Sequence, residues 1–154
     1  MAADTPHRGA RIEARDIRHV NCSIGLQLFL HAMAAARFRV EVREDIAVLV
    51  QEGAPLFDET TKALAAVIKT SLKIGSKKII IDARLSDLVN YYNYVVRHAE
   101  LLPTIGFDGS FRSAIVGLPE QVDVMDFIVS VGRNRGWIVR RFLDMDEAMQ
   151  WLRS

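Results

Sequence analysis

The run Lys78-Ile79-Ile80-Ile81-Asp82 constrains the fold more than any other stretch of the chain. Three consecutive β-branched residues leave a strand with no polar face, so it must be covered on both sides. Segments with helical periodicity flank it. Leu64, Val67, Ile68 and Leu72 recur three and four apart before it, and Val89, Tyr92, Val96 and Ala99 after it. A two-sided strand between two amphipathic helices is the central strand of an α/β sheet.

The remaining elements fall in place around it. Arg37-Phe38-Arg39-Val40-Glu41-Val42 alternates charged and apolar residues, as a half-buried strand does. Arg43-Glu44-Asp45 breaks it, and Ile46 to Val50 forms a second, more apolar strand, so the pair reads as an antiparallel hairpin. Asp58 is a candidate N-cap for the first helix, and Gly75 a left-handed C-terminal cap. Pro103 ends the second helix. Ser113 to Gly117 is a short buried strand, followed by a helix from about Gln121 to Arg133 with Val122, Met125, Ile128 and Val129 inward. Gly136 ends that helix, and Trp137 to Phe142 is the last strand. Asp144, with Glu147 three residues on, opens a closing helix whose inner face is Met145, Ala148, Met149 and Leu152. The expected fold is α/β, a mixed sheet of about five strands in the order β-β-α-β-α-β-α-β-α. Its later strands are parallel, because right-handed helical crossovers join them.

Residues 1–36 read as a separate N-terminal extension and 37–154 as the domain. The first part lacks a sustained apolar period. Its run SIGLQLFLHAMAAA admits three readings: a signal peptide with AMA as cleavage site, an amphipathic helix through Leu26, Leu28, Phe29 and Met33, or an upstream extension with Met33 as the true start. The last is favoured. His19 and Cys22 are half a metal site at most, since zinc wants three or four ligands. Cys22 is the only cysteine, so no internal disulfide forms; a reducing, cytoplasmic setting is expected. A net charge of +1 with scattered basic residues gives no footprint for nucleic acid. No apolar run approaches the ~20 residues of a membrane span, so no stable membrane insertion is expected.

Three stretches carry a resemblance to a known superfamily: IIIDAR as the central strand, SAIVG as the next, and VRRFLDMDEAMQWL as the closing strand and helix. Their order over residues 37–153 resembles the STAS-like superfamily, the anti-sigma-factor antagonist fold. More closely, it is similar to the uncharacterised bacterial STAS-like proteins grouped with CRAL-TRIO lipid-transfer domains. The resemblance implies the fold and a regulatory role. Antagonists of that superfamily carry Asp-Ser-Ser-Gly after the central strand, with a phosphorylated serine. Asn90-Tyr91-Tyr92-Asn93 stands in register here, and Ser86 lies four residues early.

Catalytic motifs are missing from the domain. Asp82 lacks the acidic partners that a phosphate-accepting aspartate needs for magnesium, since Glu41, Glu44 and Asp45 read as exposed hairpin residues. Its expected role is in the turn, paired with Arg84 or backbone amides. His98, the domain's one histidine, reads with Glu100 as part of a solvated helix face. The glycines at 106, 109 and 117 fit no phosphate-binding spacing. The chain is therefore expected not to be an enzyme and to need no cofactor or metal. In Asn90 to Val96 all three tyrosines gather. Tyr92 belongs to the apolar stripe, while Tyr91 and Tyr94, one turn apart, should be partly exposed. The expected function is a non-catalytic interaction module binding a protein partner, a second copy of the chain included. Its contact surface comprises Asp82, Arg84, Asp87, Asn90, Tyr91 and Tyr94. The alternative is a carrier of a lipid or small apolar ligand, of CRAL-TRIO type, which four helices on one small domain leave little room to build.

Overall fold

The computed structural model describes residues 37–154. The readings of residues 1–36, from the signal peptide to the start at Met33 and the His19–Cys22 pair, lie outside the described residues. The sheet has five strands: β1 (Arg37–Arg43), β2 (Ile46–Gly53), β3 (Lys78–Ser86), β4 (Arg112–Val116) and β5 (Ile138–Phe142). They lie side by side in chain order. β1 and β2 are antiparallel, and every later pair is parallel. Four helices connect and cover them: α1 (Phe57–Lys73), α2 (Tyr92–Leu101), α3 (Val122–Asn134) and α4 (Met145–Arg153). The isoleucine run is the middle strand, paired with β2 on one side and β4 on the other.

Period-two alternation divides the strand side chains between two helix layers. Val48, Val50, Ile80, Val116 and Phe142 pack against Ala148, Met149 and Leu152 of α4. Ala47, Leu49 and Ile79 face the other way, against Ala63, Leu64, Val67 and Ile68 of α1 and against Phe107 and Phe111. The closing helix is built as its sequence implied: Asp144 is the N-cap, and its Oδ1 accepts from the Glu147 backbone N–H at 3.0 Å. Gly75 and Gly136 follow α1 and α3 with φ of 72° and 79°, which glycine adopts without a Cβ penalty.

Three local expectations are corrected. β3 does not end at Asp82 but continues to Ser86, because a register shift in β2 between Val50 and Glu52 lets Leu85 and Ser86 pair with Glu52 and Gly53. α1 starts at Phe57, not after an Asp58 cap. Its N-cap is Leu56, and Glu59 reaches back to accept from the Leu56 N–H at 3.2 Å. At the start of and along α2 the stripe Val89, Tyr92, Val96 is turned outward, Val89 lying in the turn before the helix, and Val95, His98 and Ala99 form the buried face. Among the described residues no helix is long and apolar enough to cross a membrane.

Candidate functional site

The segment from the end of β3 to the start of α2 is braced from below. Gln121, buried at the start of α3, donates from Nε2 to the carbonyls of Ala83 at 2.9 Å and Ser86 at 2.8 Å. Ser86 in turn donates from its hydroxyl to the Gln51 carbonyl at 2.8 Å. The Asp87 N–H donates to Gly53 O, and the Asp87 carboxylate accepts from the Val89 N–H at 3.0 Å, closing a tight turn. Fixed this way, the turn holds Asp87, Val89 and Asn90 in solvent.

Asp82 is only 6% exposed. Its Oδ1 accepts from the Arg84 backbone N–H and from Arg84 Nε, and its Oδ2 from Arg84 Nη2 at 2.9 Å. Burial pushes the carboxyl pKa up, but the hydrogen bonds and charge of Arg84 outweigh it and hold the group below its ordinary value. The expected pairing of Asp82 with Arg84 and a backbone amide is thus present. It occurs within the strand, because β3 has not yet ended.

On the other face of β3 lies an aromatic–imidazole cluster. His98 is 2% exposed, which corrects its placement on a solvated face. Phe57 stacks on its ring at a centroid distance of 4.3 Å, with the Arg97 guanidinium 3.9 Å from the Phe57 centroid. Nε2 lies 3.2 Å from the Phe57 carbonyl and 3.0 Å from Thr61 Oγ1. Nδ1 lies 3.2 Å from Tyr91 Oη. A carbonyl can only accept, so the network assigns the proton to Nε2, with the Tyr91 hydroxyl donating to Nδ1. Burial lowers the His98 pKa, the Phe57 carbonyl opposes that, and the Arg97 charge adds to it; the net result lies below the ordinary value. Burial likewise pushes the Tyr91 phenol well above its usual range.

The six residues expected to form one surface are therefore divided. Asp82 and Arg84 share the α4 side of β3 with Ile80, whereas Tyr91 packs with Ala83, Leu88 and Val124 on the opposite side. Tyr91 and Tyr94 are half-buried, but the Tyr91 hydroxyl points inward and Tyr94 sits edge-on to Phe57 and Tyr91. Asp87 and Asn90 are exposed between the two groups.

What the sequence reading missed is the outward stripe. Val89 is 76% exposed, Tyr92 44%, Val96 45% and Phe127 36%. The Tyr92 and Phe127 rings lie 5.5 Å apart and join α2 to α3 in one apolar strip. Leu85 at the end of β3 is exposed as well. The spacing of Val89, Tyr92 and Val96 is the available signal, but spacing alone does not distinguish an outward stripe from a core face.

A five-stranded mixed sheet with one helix on one face and three on the other is the SpoIIAA-like, or STAS-like, fold. Among solved structures the chain is similar to an anti-sigma factor antagonist from Mycobacterium paratuberculosis, with TM-score 0.53 and 12% identity over 77% of this chain and 95% of that one. It is also similar to an uncharacterized protein of the DUF3478 family with a SpoIIAA-like fold from Shewanella loihica PV-4. There the TM-score is 0.51 and the identity 19%, over 77% of this chain and 93% of the other. No protein-family model and no curated protein matches the chain.

Proposed function

We propose that the chain is a non-catalytic regulatory module that acts by binding a protein, through the apolar strip of Val89, Tyr92, Val96 and Phe127. The exposed strip carries this reading. Large apolar side chains gathered on a solvent face mark a contact surface, and aromatic residues that give up little entropy are effective anchors. Asp87 and Asn90 form its polar rim. The description of one similar structure as an anti-sigma factor antagonist supports a protein partner. The strip also lies where the superfamily's regulatory serine stands in the resemblance. With Asn90-Tyr91-Tyr92-Asn93 there, contact is not gated by serine phosphorylation at those positions.

The lipid-carrier alternative gains no support. Ligand pockets for molecules of that size run to about 300–1,000 Å³, while the interior cavity between sheet and helices is about 80 Å³. The test is Tyr92→Ala with Phe127→Ala, assayed by affinity capture from native cells and by sedimentation for self-association. The expected result is loss of the captured protein or of the dimer, a weakening of about 2 kcal/mol or more as for interface anchors, at an unchanged melting temperature. A double variant that binds as the parent does would overturn the assignment and move attention to the exposed face of the β1–β2 hairpin.

A further inference from the structure

Ser113 is the one polar residue in the buried part of β4, and its position is unusual. Its register partners are Ile79 on β3 and Val139 on β5, and all three line a cavity under α1, α2 and α3. Ser113 is 5% exposed, and its hydroxyl is the only buried side-chain polar atom among the described residues without a hydrogen-bond partner. Native interiors rarely leave such a group unmet, and each case asks for an explanation.

The cavity supplies one. It measures about 80 Å³, against roughly 10–15 Å³ needed for one water by the same kind of measure. A buried water needs two to four polar partners. Apart from Ser113, the lining side chains with a polar atom are Tyr91, His98 and Trp137, and the first two already bond each other. His98 Nε2 is further engaged by Phe57 and Thr61. The rest of the wall is aliphatic or aromatic, including Ile115, Val95 and Ala99, and no Lys, Arg, Asp or Glu contributes to it.

We propose that this cavity is a binding site for a small uncharged molecule with an apolar body and one hydrogen-bonding group, held by the Ser113 hydroxyl. Water alone is a poor occupant, for want of polar partners. A charged ligand has no counter-ion, and burying it unpaired is prohibitive. The volume admits a phenol-sized molecule or smaller, not an acyl chain. The cavity lining shares no residue with the apolar strip, so this inference is separate from it and survives or fails without it.

The probes are phenol, benzene and benzoate, titrated into the full chain with the methyl signals of Ile79, Ile115 and Val139 followed by NMR. Phenol should shift these methyls in a saturable way, benzene more weakly, and benzoate not at all. Ser113→Ala should weaken phenol about five- to tenfold, to near the benzene value, since one net hydrogen bond is lost, while leaving benzene unaffected. Ala99→Val, which adds bulk at the cavity wall, should abolish both. The inference is overturned if millimolar phenol leaves the three methyls unmoved, which would mean a void or ordered water only. Equal phenol affinity in Ser113→Ala would overturn it too. Should Ala99→Val fail to fold, the Ser113→Ala comparison alone decides.

Discussion

At the residue scale, two buried ionisable groups give opposite lessons about pairing. Asp82 is stabilised as an anion by Arg84, so its folded-state pKa lies below the unfolded value of about 3.9. A depressed carboxyl contributes stability that is fully present above that pH and lost as pH falls through the folded value. Arg84→Met leaves the carboxylate buried without its partner. It should cost about 1–2 kcal/mol at pH 7, discounted because the guanidinium is partly in solvent. Urea denaturation should show the gap between parent and variant closing below about pH 3.9. His98 has no acidic partner and is held neutral by burial, so its folded pKa lies below the unfolded value of about 6.5. The unfolded chain then binds the proton more readily, and stability is lost as pH falls below about 6.5. His98→Gln should be less stable at pH 8 by about 1–3 kcal/mol, since Tyr91, Thr61 and the Phe57 carbonyl lose a shaped partner. The deficit should narrow at pH 5. A deficit independent of pH between 8 and 5 would mean that His98 does not titrate with folding.

At the element scale, the turn after β4 depends on close approach. A Cβ on Gly117 would lie 2.5 Å from Met125 Sδ and 2.8 Å from Gln121 Oε1. Met125 is fully buried and Gln121 is committed to Leu118, Ala83 and Ser86, so neither yields easily. Gly117→Ala should cost about 1–3 kcal/mol, as overpacking does, and should speed amide exchange at Ser86 to Val89 by loosening the Gln121 brace. An unchanged melting temperature and exchange rate would show that the turn repacks freely. The same scale explains what the sequence disclosed. α4 was legible because its cap, its first turn and its single apolar face agree. α2 was not, because it carries two stripes: Tyr91, Val95, His98 and Ala99 on one side, and Val89, Tyr92 and Val96 on the other. Periodicity finds a stripe but does not say which way it faces. The deciding contacts of His98 come from Thr61 and Phe57, 37 and 41 residues away in sequence, where local pattern has no reach. The pattern places the tyrosines at the start of α2, but which of them face outward is set by these distant contacts.

At the scale of the whole molecule, residues 37–154 close their own core. β1 pairs from its first residue, Arg37 opposite Glu52, and both helix layers are filled by side chains between Ile46 and Leu152. The two ends of this part are also tied together: the Arg153 guanidinium donates to both carboxylate oxygens of Glu44, at 2.9 and 2.7 Å. That pair is exposed, so it adds little energy, but it places the closing helix over the hairpin that opens the sheet. We therefore propose that a fragment of residues 37–154 folds alone. Its melting temperature should lie within about 8 °C of the full chain, a span that at this size corresponds to a few kcal/mol, and its methyl spectrum should match the full chain over the core. A larger loss would show that residues 1–36 contribute to the core.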